Sequence, residues 1–232
     1  MRHPDSEMSK QGMGFWDLLT PDDQRGLRDL GSDRQYPPGA TICVEGDPAT
    51  HVFVLLHGWV KVVSVTETGQ ESVRALRGEG DLVGETAGEL GARRNATMQA
   101  IDAVQALIVG FDRFTAFLDT HPRASHAFRH MMTQRWSETE TLLRMRSFTN
   151  GPQRIAALLL DLAERHGSQM GGAIQIVLPL SQDELASLAG TSRATVARAL
   201  SNWRKRGFVR TGPRKITLID VQGLRRAAGP AT

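Results

Sequence analysis

Two stretches of the chain hold residue types at spacings that could do chemistry. The first is Ser181 to Leu200, SQDELASLAGTSRATVARAL. Ser181 and Glu184 have the S-x-x-E spacing in which a hydroxyl and a carboxylate each satisfy a free amide at a helix start. Leu185, Ala186, Leu188 and Ala189 would form the inner face of that helix, and Gly190 sits where the chain must reverse. Thr191 or Ser192 can cap a second helix whose apolar side is Val196, Ala199 and Leu200. This is a helix-turn-helix pattern. It leaves Arg193, Ala194, Thr195 and Arg198 facing outward near the start of the second helix, the part that enters a DNA major groove in such motifs. Eight basic residues and no acidic one lie between Leu185 and Ile219. A basic run is more often a solvated face than a site. Coinciding with this motif, it reads as a stripe for DNA phosphates, held by Coulomb attraction and counterion release.

The second stretch is Gly84 to Ala96, GETAGELGARRNA, with three glycines, two acids and paired arginines. By composition alone it is a polar surface loop. Its chemistry as a site would be that of an anion cradle: a helix start and loop amides aimed at a phosphate, Arg94 or Arg93 as counter-charge, and Glu85 accepting from a sugar hydroxyl. Weaker candidates are His121, His126 and His130, the last two at i,i+4 helix spacing, which is a metal-ligand geometry. No adjacent carboxylate or cysteine completes a ligand set, so a metal or haem sensor is the least favoured reading. The single cysteine, Cys43, excludes an internal disulfide, a CxxC metal site and a cysteine-ligated cluster within one chain. It is expected as buried apolar filler. With no nucleophile–base pair, phosphate-loop lysine signature or zinc hydrolase motif, an enzyme is not expected, and His51 and His57 on strands read as structural.

The elements that must position these stretches follow from periodicity. Short β-rich runs punctuated by glycine turns fill the region from Tyr36: TICV at 41 to 44, HVFVLL at 51 to 56, WVKVVSV at 59 to 65, ESVRAL at 71 to 76, TMQAI at 97 to 101 and VQALIV at 104 to 109. Their spacing predicts a compact antiparallel barrel or roll, which can hold a ligand in its mouth. Lead-in helices over Phe15 to Leu30 precede it, with Thr20 as a cap and Pro21 just inside. Residues 1 to 14 read as disordered. Asp112 to Arg146 reads as helix, reset at Pro122, and Met132, Trp136, Thr139 and Leu143 make a heptad-like seam for the roll or for a second subunit. Asn150, Gly151 and Pro152 mark a hinge. Beyond it come the helix QRIAALLLDLAERHG, a strand at Ile174 to Leu178, the helix-turn-helix, and the runs FVR and KITLI around Thr211-Gly212-Pro213-Arg214. That hairpin is a wing, where Arg210, Arg214 and Lys215 would meet the phosphate backbone.

Composition fits two domains of a water-soluble chain. The 232 residues can bury a core, no run approaches the roughly 18 apolar residues of a membrane span, and the first residues lack the apolar core of a signal peptide. A cytoplasmic protein is expected. Charge divides sharply: the first 150 residues carry 16 basic against 20 acidic groups, and the rest carry 12 against 5. The C-terminal third is therefore the part suited to a polyanion. The expected division is an effector-binding roll with lead-in helices at 15–121, a dimerisation helix and hinge at 122–149, and a winged helix-turn-helix domain at 150–232.

Pro38-Gly39, Glu45-Gly46-Asp47, the VLLHGWVKV run, Gly80-Asp81 with Gly84-Glu85, the long helix and LASLAGTSRATVARAL occur in one order. Through them the chain resembles, over about residues 15 to 222, the transcription regulators of the cyclic-AMP receptor and fumarate-nitrate regulator (Crp-Fnr) family. The resemblance implies an α+β fold: an N-terminal antiparallel β-roll of cyclic nucleotide-binding type, a long dimerisation helix and a C-terminal winged helix-turn-helix. It implies a homodimer on a palindromic promoter site, RNA polymerase as a further partner, and cyclic AMP or another cyclic nucleotide as effector. Gly84 and Glu85 match residues that meet ribose and phosphate, and Arg94 matches the arginine on the cyclic phosphate. Asn95 stands where the family has Ser or Thr, and its amide can still donate. Thr139 matches a contact to the adenine amino group, and Glu140 replaces a Ser that reaches over from the partner subunit. Arg93 adds a second charge. Ser192, Arg193, Ala194, Thr195 and Arg198 match the reading head, with Arg193 and Arg198 at guanine-contacting positions and Ala194 in place of a common Glu. A regulator of the same fold with a vestigial pocket, binding DNA constitutively, is the alternative.

Overall fold

The computed structural model describes residues 14–65, 71–86, 93–147, 150–177 and 180–229. Of the segment read as disordered, only Gly14 is among them, and the middle of the glycine-rich loop, 87–92, is outside them. A short 3₁₀ turn, Trp16–Leu18, leads to α1, Pro21–Asp29. The Thr20 hydroxyl accepts from the Asp23 amide while the Asp23 carboxylate accepts from the Thr20 amide, and Pro21 opens the helix as its fixed φ favours.

Eight strands follow: β1 Gly31–Tyr36, β2 Thr41–Cys43, β3 His51–His57, β4 Val60–Val65, β5 Glu71–Arg77, β6 Leu82–Val83, β7 Thr97–Ala100 and β8 Val104–Gly110. They form two antiparallel sheets, ordered β1-β8-β3-β6 and β2-β7-β4-β5. The apolar run of β3 is continuous because both of its faces are covered. Val52 and Val54 join Leu107 and Val109 against the helical layer of Phe15, Leu27, Phe114 and Phe117, while Phe53 and Leu55 turn to the roll interior with Val60, Met98 and Ala106. Two cores thus grow from one period-2 alternation. Strand β1 was not expected. Its sequence, GSDRQY, has one apolar residue, and it is a strand because all six residues pair with β8 at the sheet edge.

Helix α2, Phe111–Thr120, and the long α3, Pro122–Ser147, follow, divided at Pro122 where the reset was expected. Met131 is buried and Met132 packs beside it on the roll, but Trp136 and Leu143 are 72% and 60% exposed. The seam therefore divides: its first turn belongs to the roll, and Trp136 and Leu143 face outward. Helix α4, Gly151–His166, starts under the Asn150 side chain, which accepts from the Gln153 amide. The rest is β9 Gly167–Met170, β10 Ala173–Val177, α5 Gln182–Leu188, α6 Arg193–Lys205, β11 Val209–Gly212, β12 Lys215–Leu218 and α7 Val221–Ala228. Strands β11-β12-β10-β9 make a third antiparallel sheet. Strand β9 and helix α7 were not expected; Leu224 and Ala228 of α7 pack into the core of α4, α5 and α6. No helix among the described residues is long and apolar enough to cross a membrane.

Candidate effector pocket and DNA-reading surface

The glycine-rich loop joins β6 to β7 and brings its two charged residues to one wall. Gly84 has φ +86°, the left-handed region that suits glycine, and a Cβ there would sit 2.5 Å from Arg94 Nη1. That absence of a side chain lets Arg94 fold back: Nη1 donates to the Gly84 carbonyl at 2.9 Å and Nη2 to the His51 carbonyl at 2.7 Å. Its guanidinium lies over Phe53, 5.3 Å from the ring centroid. Arg94 is 5% exposed, and its Nε makes no hydrogen bond. Glu85 is buried beside it, accepting from Thr86 Oγ1 and from Arg135 Nη1 of α3, whose Nη2 also donates to the Leu82 carbonyl. Burial works to raise the Glu85 pKa, but the Arg135 charge together with hydrogen bonds from the backbone, Arg135 and Thr86 holds the carboxyl below the ordinary glutamate range.

These groups surround a cavity of about 240 Å³. Gly84, Glu85, Arg94, Asn95 and Thr139 line it, as do Arg77 and Arg135. Two expected residues do not. Arg93 is exposed and donates to the Gly46 carbonyl at 2.8 Å, because its bridge to Pro48 turns it away. Glu140 is exposed on α3 and accepts from Trp136 Nε1 at 3.2 Å. Neither contributes to the cavity wall of its own chain. Arg135 and Arg77 were missed. Arg135 stands four residues before Thr139, hence on the same helix face, and that spacing was a usable signal. Arg77 had none, since its place depends on strand register. Against one carboxylate, three guanidiniums make the cavity a host for an anion.

At the other end, α5 and α6 take the expected form. Ser181 Oγ accepts from the Glu184 amide and the Glu184 carboxylate from the Ser181 amide. Gly190 turns the chain at φ +58°, and Arg154 of α4 clamps the turn by donating to the Ala189 and Gly190 carbonyls, each at 3.0 Å. Ser192, not Thr191, caps α6 by accepting from the Thr195 amide. Val196, Ala199, Leu200 and Trp203 are buried; Arg193, Ala194 and Arg198 are exposed, and Thr195 is half-buried. The hairpin β11–β12 exposes Arg210, Arg214 and Lys215. Arg214 has φ +54° at the tip, where glycine is the usual occupant, so a charge is kept at a strained position. Arg204 Nη1 donates to Thr211 Oγ1 at 3.2 Å and ties the hairpin to α6. The exposed start of α6 and the exposed basic hairpin are thus parts of one unit, joined through Arg204 near the helix's other end.

His121 stacks on Phe117 with ring centroids 4.0 Å apart, and His126 is exposed. Among the described residues no group of three or more His, Cys, Asp or Glu side chains could hold a metal ion. Cys43 is half-buried rather than buried, at the edge of the roll core.

Residues 33–121 match the model of the cyclic nucleotide-binding domain, and residues 153–227 match that of the Crp-like helix-turn-helix domain. The chain is 31% identical over 193 residues to the CRP-like cAMP-activated global transcriptional regulator of Mycobacterium tuberculosis, covering 83% of this chain and 86% of that one. It is 31% identical over 195 residues to the cyclic AMP receptor protein of Thermus thermophilus, covering 84% and 87%. The chain belongs to the Crp-Fnr family of transcription regulators. FixK2 from Bradyrhizobium japonicum shares the fold, with a TM-score of 0.77 at 22% identity over 88% of this chain and 100% of that one. As a Crp-Fnr protein it combines a β-rich cyclic nucleotide-binding domain, a long helix and a DNA-binding helix-turn-helix.

Proposed function

We propose that the chain is a homodimeric, effector-gated transcription regulator, with a cyclic nucleotide or a close chemical relative as effector. The observation that carries this is Arg94: a buried guanidinium with one N–H still unpaired, on the wall of a cavity that also holds Arg135, Asn95 and Thr139. Its size suits a small ligand. A phosphate would take the Arg94 charge, Asn95 would donate to a phosphate oxygen, Glu85 would accept from a ribose hydroxyl and Thr139 would meet the base. The relative from Mycobacterium tuberculosis is named as cAMP-activated, which supports the same ligand class. Arg193 and Arg198 would read guanine edges of a palindromic promoter, with Ser192, Ala194 and Thr195 beside them, while Arg210, Arg214 and Lys215 would hold phosphates. The exposed Trp136 and Leu143 support a second copy on α3, which would bring Glu140 towards the partner's pocket. The working division is 15–121, 122–149 and 150–232. The protein acts by binding in the cytoplasm, in contact with RNA polymerase, and catalyses nothing.

Calorimetry with cyclic AMP and cyclic GMP tests the pocket. One of them should bind, and Arg94→Gln should weaken it at least about tenfold, the loss of a charged hydrogen bond. A second reading, a constitutive regulator with a vestigial pocket, is favoured by the Glu85–Arg135 pair, which satisfies the carboxylate without a ligand. Absence of binding heat from any nucleotide would select it.

A further inference from the structure

The helix-turn-helix does not stand apart from the roll. Strand β5 is the outer strand of its sheet, paired only with β4, so part of its backbone is open to another element. Helix α5 covers it. The Val73 amide donates to Ser187 Oγ at 2.8 Å, and Lys61 Nζ lies 3.2 Å from Glu184 Oε1 with both side chains mostly buried. Val63, Val73 and Leu76 of the roll share one apolar cluster with Leu158, Leu162 and Leu185. One turn beyond Arg135 on α3, Glu138 forms ion pairs in two directions: with Arg77 of β5 at 3.1 Å and with Arg165 of α4 at 3.3 Å. It therefore joins three elements, the roll, the long helix and the first helix of the DNA-binding unit.

We propose that α5 on β5, held by Glu138, is a latch that an anion in the effector pocket releases. The trigger rests on the pocket reading above. Arg77 belongs to both places, lining the cavity and gripping Glu138. Arg135 likewise holds Glu85 in the cavity within one helical turn of Glu138. An anion bound between these guanidiniums competes with Glu138 for the same charges, and Arg165 then loses its anchor to the roll. The burial of Glu138 opposes its charge, and the surrounding arginines restore it, so the carboxylate is present to be competed for. Closed, the latch fixes the recognition helix relative to α3 and so to any second copy. Open, it frees that spacing. A ligand shifts such an equilibrium only by its preference for one state.

The Val73 amide reports the latch by hydrogen exchange, with β3 amides as internal control. Glu138→Gln removes the central charge; Lys61→Gln, outside the cavity wall, weakens the α5 contact without touching the pocket. Each should speed Val73 exchange at least about fivefold, and so should a saturating nucleotide on the unaltered protein, the lower end of ordinary coupling. Unchanged exchange in both variants overturns the latch. A nucleotide that binds by calorimetry yet leaves Val73 exchange unchanged or slower overturns the trigger. If cyclic AMP and cyclic GMP give no heat, the pocket reading and the trigger fall together, while the two variants still decide the latch.

Discussion

His166, at the end of α4, shows how a single buried group links stability to pH. Its ring meets Trp59 edge-on with centroids 4.9 Å apart, and Nε2 makes no hydrogen bond. Burial, helped by the neighbouring Arg165 charge, lowers its pKa from 6.5 to about 3. The unfolded imidazole takes a proton near pH 6.5 and the folded one does not. Its share of stability is therefore complete above pH 6.5 and is lost as pH falls towards 3. By pH 5 the loss is about 2 kcal/mol. Urea melts at pH 7 and pH 5 should show a drop that His166→Phe reduces by about that amount, whereas equal drops would place the imidazole in water. At this scale the sequence was partly legible. Glu85 and Arg94 flank a glycine-rich loop whose composition already suggested an anion. Arg93 looked equivalent to Arg94, but which of two adjacent arginines turns inward depends on the Pro48 bridge and the missing Gly84 side chain, which are tertiary facts.

At the scale of elements, the proposed reading surface separates into a helix and a hairpin that would have different tasks. Arg193 starts α6, exposed and 3.7 Å from Asp183, an ion pair too solvated to hold it. Arg214 sits exposed at the tip of the hairpin, between β11 and β12. Arg193→Ala should abolish preference between sites, at a cost of about 1–3 kcal/mol on the best site. Arg214→Ala should weaken all sites alike and lower the salt slope by about one. Competition titrations at several salt concentrations check both, and equal effects on specificity would mean that the motif is docked differently. Elements with local signals were readable: the Ser181 capping box, the Thr20 cap, a glycine turn and long apolar alternations. Strands β1 and β9 were not, because GSDRQY and GSQM gain their conformation from the partner strand rather than from their own side chains.

At the scale of the molecule, charge and connectivity describe one device. An acidic roll carries an arginine-lined cavity, a basic C-terminal unit carries the proposed reading face, and Glu138 stands between them with one carboxylate oxygen on each side's arginine. The family and the order of domains were legible in spaced motifs. The docking of α5 on β5 was not, because Lys61, Val73, Glu184 and Ser187 meet across more than a hundred residues and each is ordinary in its own segment. In the proposed regulator, pocket and reading face are coupled. The measurement is fluorescence anisotropy of a labelled palindromic duplex, selected from a half-site library and titrated at fixed salt with no nucleotide, with cyclic AMP and with cyclic GMP. Coupling predicts that one nucleotide tightens binding at least about fivefold. Identical affinity with and without every nucleotide tried would contradict it.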